Sequence, residues 1–101
     1  MVYNKLVRDK IPSAIEAEGF IPRYRILEEE EYRSLLEEKL DEEVGEFHRD
    51  QTPEELADIL EVVLALSENI GCTREELWEI YLGKHEARGG FAKRVFLISK
   101  D

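Results

Sequence analysis

Apolar residues recur at helical spacing through the middle of the chain, with Tyr32, Leu36, Leu40, Val44 and Phe47 three or four residues apart. The pattern predicts a long helix from about Glu29 to about Arg49. A second helix starts at Thr52-Pro53-Glu54-Glu55, which offers a hydroxyl cap, proline at the first helical position and a glutamate three residues after the cap. It is expected to reach Asn69 or Ile70, with Gly71 as its stop. Thr73-Arg74-Glu75-Glu76 repeats the capping pattern and opens a further helix to about Arg88, ended by Gly89-Gly90. Upstream, Pro12 in a first turn and Gly19 at a stop bracket a short helix, and Pro22 keeps it from continuing. Arg23-Tyr24-Arg25-Ile26-Leu27 alternates polar and apolar residues and predicts a strand, with β-like Arg94–Ser99 as its candidate partner. The fold class is therefore mainly α, a helical bundle with a small accessory β hairpin or ribbon, in a single domain over residues 1–101.

Helical projection, at about 100° per residue, singles out particular acids. On the long helix Glu43 falls inside the apolar stripe, between Leu36 and Tyr32. Glu46 lies at its edge, between Tyr32 and Leu35, and Glu42 lies just outside. On the next helix Leu56, Ile59, Leu60, Val63, Ser67 and Ile70 form the main apolar face, and Val62, Ala65 and Leu66 form a second strip. Glu55 and Asp58 project onto that second strip. Each helix thus aims an i, i+3 pair of carboxylates at a surface that is otherwise apolar. A carboxylate there must pair with a base, take up a proton or hold a cation. Arg33, Lys39 and Arg49 are the only basic residues of this segment, too few to neutralise it. Hard oxygen ligands suit Mg²⁺, and paired carboxylates on facing helices are a known way to build such a site. The competing reading is a wet acidic rim, since acidic helix faces are common.

Composition narrows the function classes. The net charge of −10 is concentrated: residues 28–61 hold 15 acidic and 3 basic side chains, whereas 1–27 and 62–101 are basic or balanced. Such a middle repels phosphate backbones and disfavours nucleic-acid binding. The single cysteine, Cys72, rules out an internal disulfide and fits a reducing compartment. No apolar run approaches the roughly 20 residues of a membrane span, and charges occupy the place of a secretory signal, so a cytoplasmic protein is expected. A helical domain of this size would gain from packing on a second copy.

Other catalytic patterns are thin. The histidines His48 and His85 do not follow a glutamate by three, as a diiron site would want, and the glycines form no phosphate loop. Lys5, Arg8 and Lys10 cluster near the start, while Lys84 and Arg88 share a face of the last helix. Both groups have the charge to meet phosphate, and the second also suits a helix C-terminus.

Four segments occur in order: Lys5-Leu6-Val7-Arg8-Asp9-Lys10-Ile11-Pro12, then Lys39-Leu40-x-Glu42-Glu43-x-x-Glu46, then Glu55-Leu56-Ala57-Asp58-Ile59-Leu60-Glu61-Val62, then Lys84-x-x-x-Arg88-Gly89-Gly90-Phe91. Together they resemble the MazG-like, or phosphoribosyl-ATP pyrophosphohydrolase-like, branch of the all-α nucleoside triphosphate pyrophosphatases. The resemblance implies a homodimer or larger assembly and Mg²⁺-dependent cleavage between the α- and β-phosphates, with Mn²⁺ as a substitute. It maps catalytic metal ligands onto Glu43, Glu46, Glu55 and Asp58, with Glu42 as an added ligand, and phosphate contacts onto Lys5, Arg8, Lys84 and Arg88. Only eight residues separate Glu46 from Glu55, shorter than is usual in that superfamily. The turn between the two helices must therefore be tight. Alternative readings are phosphoribosyl-ATP hydrolysis in histidine biosynthesis and a non-catalytic helical dimerisation module.

Overall fold

The computed structural model describes all 101 residues and is all-helical: α1 (Ile11–Ala17), α2 (Glu29–Asp50), α3 (Pro53–Asn69) and α4 (Arg74–Arg88). The three longer helices fall where periodicity and caps placed them. The expected β hairpin is not formed. Tyr24–Leu27 and Arg94–Ser99 carry no strand, and Tyr24, Ile26 and Val95–Ile98 are exposed. Alternation marks a strand only when one face has something to cover it, and the apolar side chains Tyr24, Ile26 and Val95–Ile98 are left uncovered. Arg25 instead clamps the start of α2, donating to Glu31 Oε1 and Oε2 at 2.9 and 2.7 Å.

α2 and α3 form an antiparallel hairpin that carries nearly all of the close packing. Gln51 and Thr52 alone connect them. Gln51 turns the chain by adopting the left-handed conformation (φ 54°, ψ 41°), and its N–H donates to Phe47 O at 2.8 Å. Thr52 then caps α3, its Oγ1 accepting from the Glu55 N–H at 3.4 Å. At the far end of the hairpin, Arg33 donates through Nε to Asn69 Oδ1 and through Nη2 to Asn69 O, the latter at 3.3 Å.

The α3–α4 turn is also well defined. Gly71 takes φ +89°, Ser67 Oγ donates to Cys72 O at 2.9 Å, and Thr73 and Glu76 complete a reciprocal capping box at 3.1 and 3.2 Å. α4 nevertheless packs sparingly on α3, does not approach α2, and buries no residue of its own. Only Leu36, Glu43, Val62 and Ser67 are buried in the whole chain.

The second strip of α3, not the one with more apolar residues, faces α2. Val62 is buried there and Leu66 half-buried, while Leu56 and Leu60 on the main face stay 51% and 55% exposed. A two-residue turn leaves little rotational choice, so it fixes which arc of α3 meets α2.

Gln51 bears a left-handed penalty of about 1–2 kcal/mol that glycine lacks, against a glycine entropy cost of about 0.5–1 kcal/mol. Gln51→Gly is therefore expected to raise stability by up to about 1 kcal/mol in urea unfolding. A clearly less stable variant would show that the turn is held by the Gln51 side chain and its 3.2 Å bond to His48 O.

Candidate metal centre

The seam that the turn creates brings α2's Glu43 and Glu46 against α3's Glu55 and Asp58. One carboxylate oxygen from each lies within 4.8 Å of the others. All four residues selected by helical projection therefore share one volume. Glu43 is the deepest, at 6% exposure, and Glu46, Glu55 and Asp58 are half-buried.

Two oxygens in this cluster, Glu43 Oε2 and Glu55 Oε2, are shielded from water and have no hydrogen-bond partner. A buried acceptor left unpaired costs roughly 1–3 kcal/mol, more when charged, so the arrangement is one that a cation would relieve. The donor set is entirely carboxylate oxygen, which suits a hard ion such as Mg²⁺ or Mn²⁺. Glu55 sits three residues after the Thr52 cap, but its side chain does not return to complete a capping box; the reciprocal box forms only at Thr73.

Electrostatics follow from this crowding. Burial pushes the Glu55 carboxyl up to about 7, helped by a hydrogen bond with Asp50 and by repulsion from Glu46, Asp50 and Asp58. Burial is also the first cause of the upward shift of Glu43, reinforced by Glu46 and opposed by Lys39. Lys39, one turn before Glu43, lies 3.4 Å from Glu43 Oε1 and 3.6 Å from Glu42 Oε1.

Among the basic residues expected to contact phosphate, Arg8 is the one that reaches the cluster. Its Nη2 donates to Asp58 Oδ1 at 2.7 Å and its Nη1 lies 3.5 Å from Glu61 Oε1. Lys5, Lys84 and Arg88 are exposed and form no ion pair with the carboxylates. Glu42 is exposed and outside the converging group, with Lys39 as its partner. Its place next to Glu43 puts it about 100° round the helix, away from α3.

Lys39, Asp50 and Glu61 also bear on the cluster, though the sequence pattern assigns none of them a place in it. The i, i+4 spacing of Lys39 and Glu43 was a usable signal. Asp50 and Glu61 had none, because their part depends on the turn and on where the N-terminal segment lies.

Comparison with known proteins adds one relative. A stretch of 48 residues is 48% identical to an uncharacterized protein of Mycolicibacterium smegmatis (strain ATCC 700084 / mc(2)155), covering 48% of this chain and 49% of that protein. The chain thus matches about half of that relative's length. No family model matches, and no solved structure matches. No helix is long and apolar enough to cross a membrane.

The raised Glu55 and Glu43 give a pH prediction with a definite sign. A carboxyl that holds its proton more tightly when folded favours the folded state as pH falls. Protonation of Glu55 thus stabilises the fold below about 7, and that contribution is lost as pH rises through about 7. In chelator, the melting temperature is expected to rise between pH 8 and pH 5.5. Glu55→Gln, neutral throughout, should melt higher than the parent at pH 8 and show a flatter profile. Parallel profiles for the two proteins would refute the assignment.

Proposed function

We propose that the chain is a Mg²⁺-dependent nucleoside triphosphate pyrophosphohydrolase. It cleaves between the α- and β-phosphates to release a nucleoside monophosphate and pyrophosphate. The observation that carries the reading is the convergence of Glu43, Glu46, Glu55 and Asp58 within 4.8 Å, with Glu43 Oε2 and Glu55 Oε2 buried and unpaired. Further support comes from the order of the four motif segments along the chain. The assigned setting is cytoplasmic and homo-oligomeric, with abnormal nucleotides as the substrates to be cleared.

Glu43, Glu46, Glu55 and Asp58 would hold the ion. The chemistry supplied when Mg²⁺ is bound is charge neutralisation on the phosphates and a lowered pKa for coordinated water. Arg8, now held by Asp58 through Nη2 and facing Glu61 through Nη1, would turn its planar fork from these carboxylates to a phosphate once the ion takes Asp58. Lys39 steadies Glu43 by occupying Oε1, which leaves Oε2 for the ion. Lys5, Lys84 and Arg88 are the remaining candidate phosphate contacts.

Pyrophosphate release should be measured over canonical and modified nucleoside triphosphates and phosphoribosyl-ATP, with and without Mg²⁺ or Mn²⁺. Metal-dependent release is expected, abolished by chelator. Glu43→Gln and Asp58→Asn should each lower kcat/KM by on the order of 10²-fold or more, the scale of losing one preorganised electrostatic contact. The preferred substrate separates clearance of abnormal nucleotides from phosphoribosyl-ATP hydrolysis. Full activity in either variant, or release indifferent to metal, would defeat the reading.

A further inference from the structure

We propose that the N-terminal segment is a strap across the carboxylate cluster, in which Arg8 competes with the metal ion for Asp58. The ion must displace Arg8 to bind, and the freed strap closes again only on phosphate. The proposal rests on the metal reading above and adds to it an order of binding and a built-in brake on ion affinity.

The segment is lightly held. Residues 1–10 form no helix or strand, and among them only Leu6 is half-buried. α1 buries no residue and packs closely on no other helix. Within residues 1–24, Arg8 alone makes a side-chain hydrogen bond or ion pair with the hairpin, at 2.7 Å to Asp58 Oδ1 and 3.5 Å to Glu61 Oε1. The next such tie is Arg25 to Glu31, at the start of α2. A stretch fastened mainly by exposed charge, with few buried apolar contacts, opens at low free-energy cost.

The cluster thus has two counter-charges of different kinds. Lys39 belongs to α2 itself, one turn before Glu43, and its side chain is only 21% exposed, so it stays beside Glu43 whatever the cluster holds. Arg8 comes from outside the hairpin with a side chain 54% exposed, and it can leave without any opening of the core. Its partner Asp58 is one of the four converging acids, whereas Glu61 is not. A cation at Asp58 repels the guanidinium, and Glu61 at 3.5 Å holds it weakly on its own.

Linkage then fixes the consequence. If the ion expels Arg8, Arg8 lowers the ion's affinity by the same factor. The closed fraction of the strap sets that factor, and an exposed pair makes it about two- to five-fold. Two cations cannot share Asp58, but an anion can lie between them. Phosphate oxygens joined to the ion draw the guanidinium fork back, so ion binding precedes and favours phosphate binding.

The test is Mn²⁺ binding to the full chain, read from the EPR signal of the free ion, for the parent, Arg8→Gln and Lys10→Gln. Lys10 carries the same charge on the same segment but pairs with no carboxylate, and both positions are exposed, so neither change disturbs packing. Arg8→Gln is expected to tighten Mn²⁺ binding about two- to five-fold, and Lys10→Gln to leave it unchanged. In the parent, the initial rate of trypsin cleavage after Arg8 is compared with that after Lys10, so that any effect of the ion on the protease cancels. That ratio is expected to rise with Mn²⁺ and to fall again when pyrophosphate is added at excess Mn²⁺. Arg8→Gln that binds Mn²⁺ no tighter than Lys10→Gln overturns the proposal, as does a cleavage ratio indifferent to the ion. No Mn²⁺ binding in any of the three overturns it together with the metal reading. The full pattern in a chain that releases no pyrophosphate from any nucleotide leaves the strap standing and counts against catalysis alone. Metal-dependent release with unaltered Mn²⁺ affinity in Arg8→Gln does the reverse.

Discussion

Two residues join a helix of 22 residues to one of 17, and this short link governs what the rest of the chain can do. Gln51 reverses direction in a left-handed conformation and Thr52 restarts the helix at once. The helices therefore run antiparallel in contact from the turn outward, with little freedom to rotate about their axes. Glu46 and Glu55 flank the turn, and Glu43 and Asp58 follow one turn further along each helix. Like charges that would separate in a flexible linker are held together by backbone hydrogen bonding. The raised carboxyls of Glu43 and Glu55 are the local expression of that constraint.

The same geometry explains why the hairpin's own core is small. Space in a helix–helix seam is limited, and here part of it is filled by carboxylates where leucine or valine would add about 1.5–3 kcal/mol of burial each. Lys39 and Arg8 offset some of the repulsion: the Arg8–Asp58 pair is partly exposed and contributes little, while Lys39 meets Glu43 where little water reaches and mainly compensates its burial. Stability is then tied to what lies outside the hairpin, because any ligand or partner that binds only the folded chain shifts the equilibrium toward it. A site for a cation and an uncovered apolar face are in this sense two consequences of one packing choice.

Much of this was legible in the sequence. Helix limits were fixed by Thr52-Pro53, Gly71, Thr73 and Gly89, whose effects are local and chemical. The i, i+3 pairs Glu43/Glu46 and Glu55/Asp58 stood out because helical periodicity makes an acid inside an apolar stripe visible. Three things were hidden. The alternation of Tyr24–Leu27 and Arg94–Ser99 resembled strands, yet pairing needs a surface to pack on, which a local pattern does not report. The face of α3 chosen by α2 depends on the rotation set at Gln51. The approach of Arg8 to Asp58 spans 50 positions and rests on the path of the N-terminal segment, for which no periodicity exists.

The apolar arc of α3 gives the last step. Val62 and Leu66 lie on one side and Leu56, Leu60 and Val63 roughly a quarter to half a turn away, an arc wider than the stripe that one neighbouring helix covers. Among the surfaces of this chain only α2 is pressed against it closely, and α2 takes the side that also bears Glu55 and Asp58. Had the more apolar side faced α2, the hairpin would have gained burial and lost its cluster. With the carboxylates turned inward, the hydrophobic demand of α3 is carried to the outer face, where α4 meets it in part. The acidic seam and the exposed leucines are thus coupled by helical geometry: placing charge at the inner contact of a two-helix unit moves the burden of burial to its outer one.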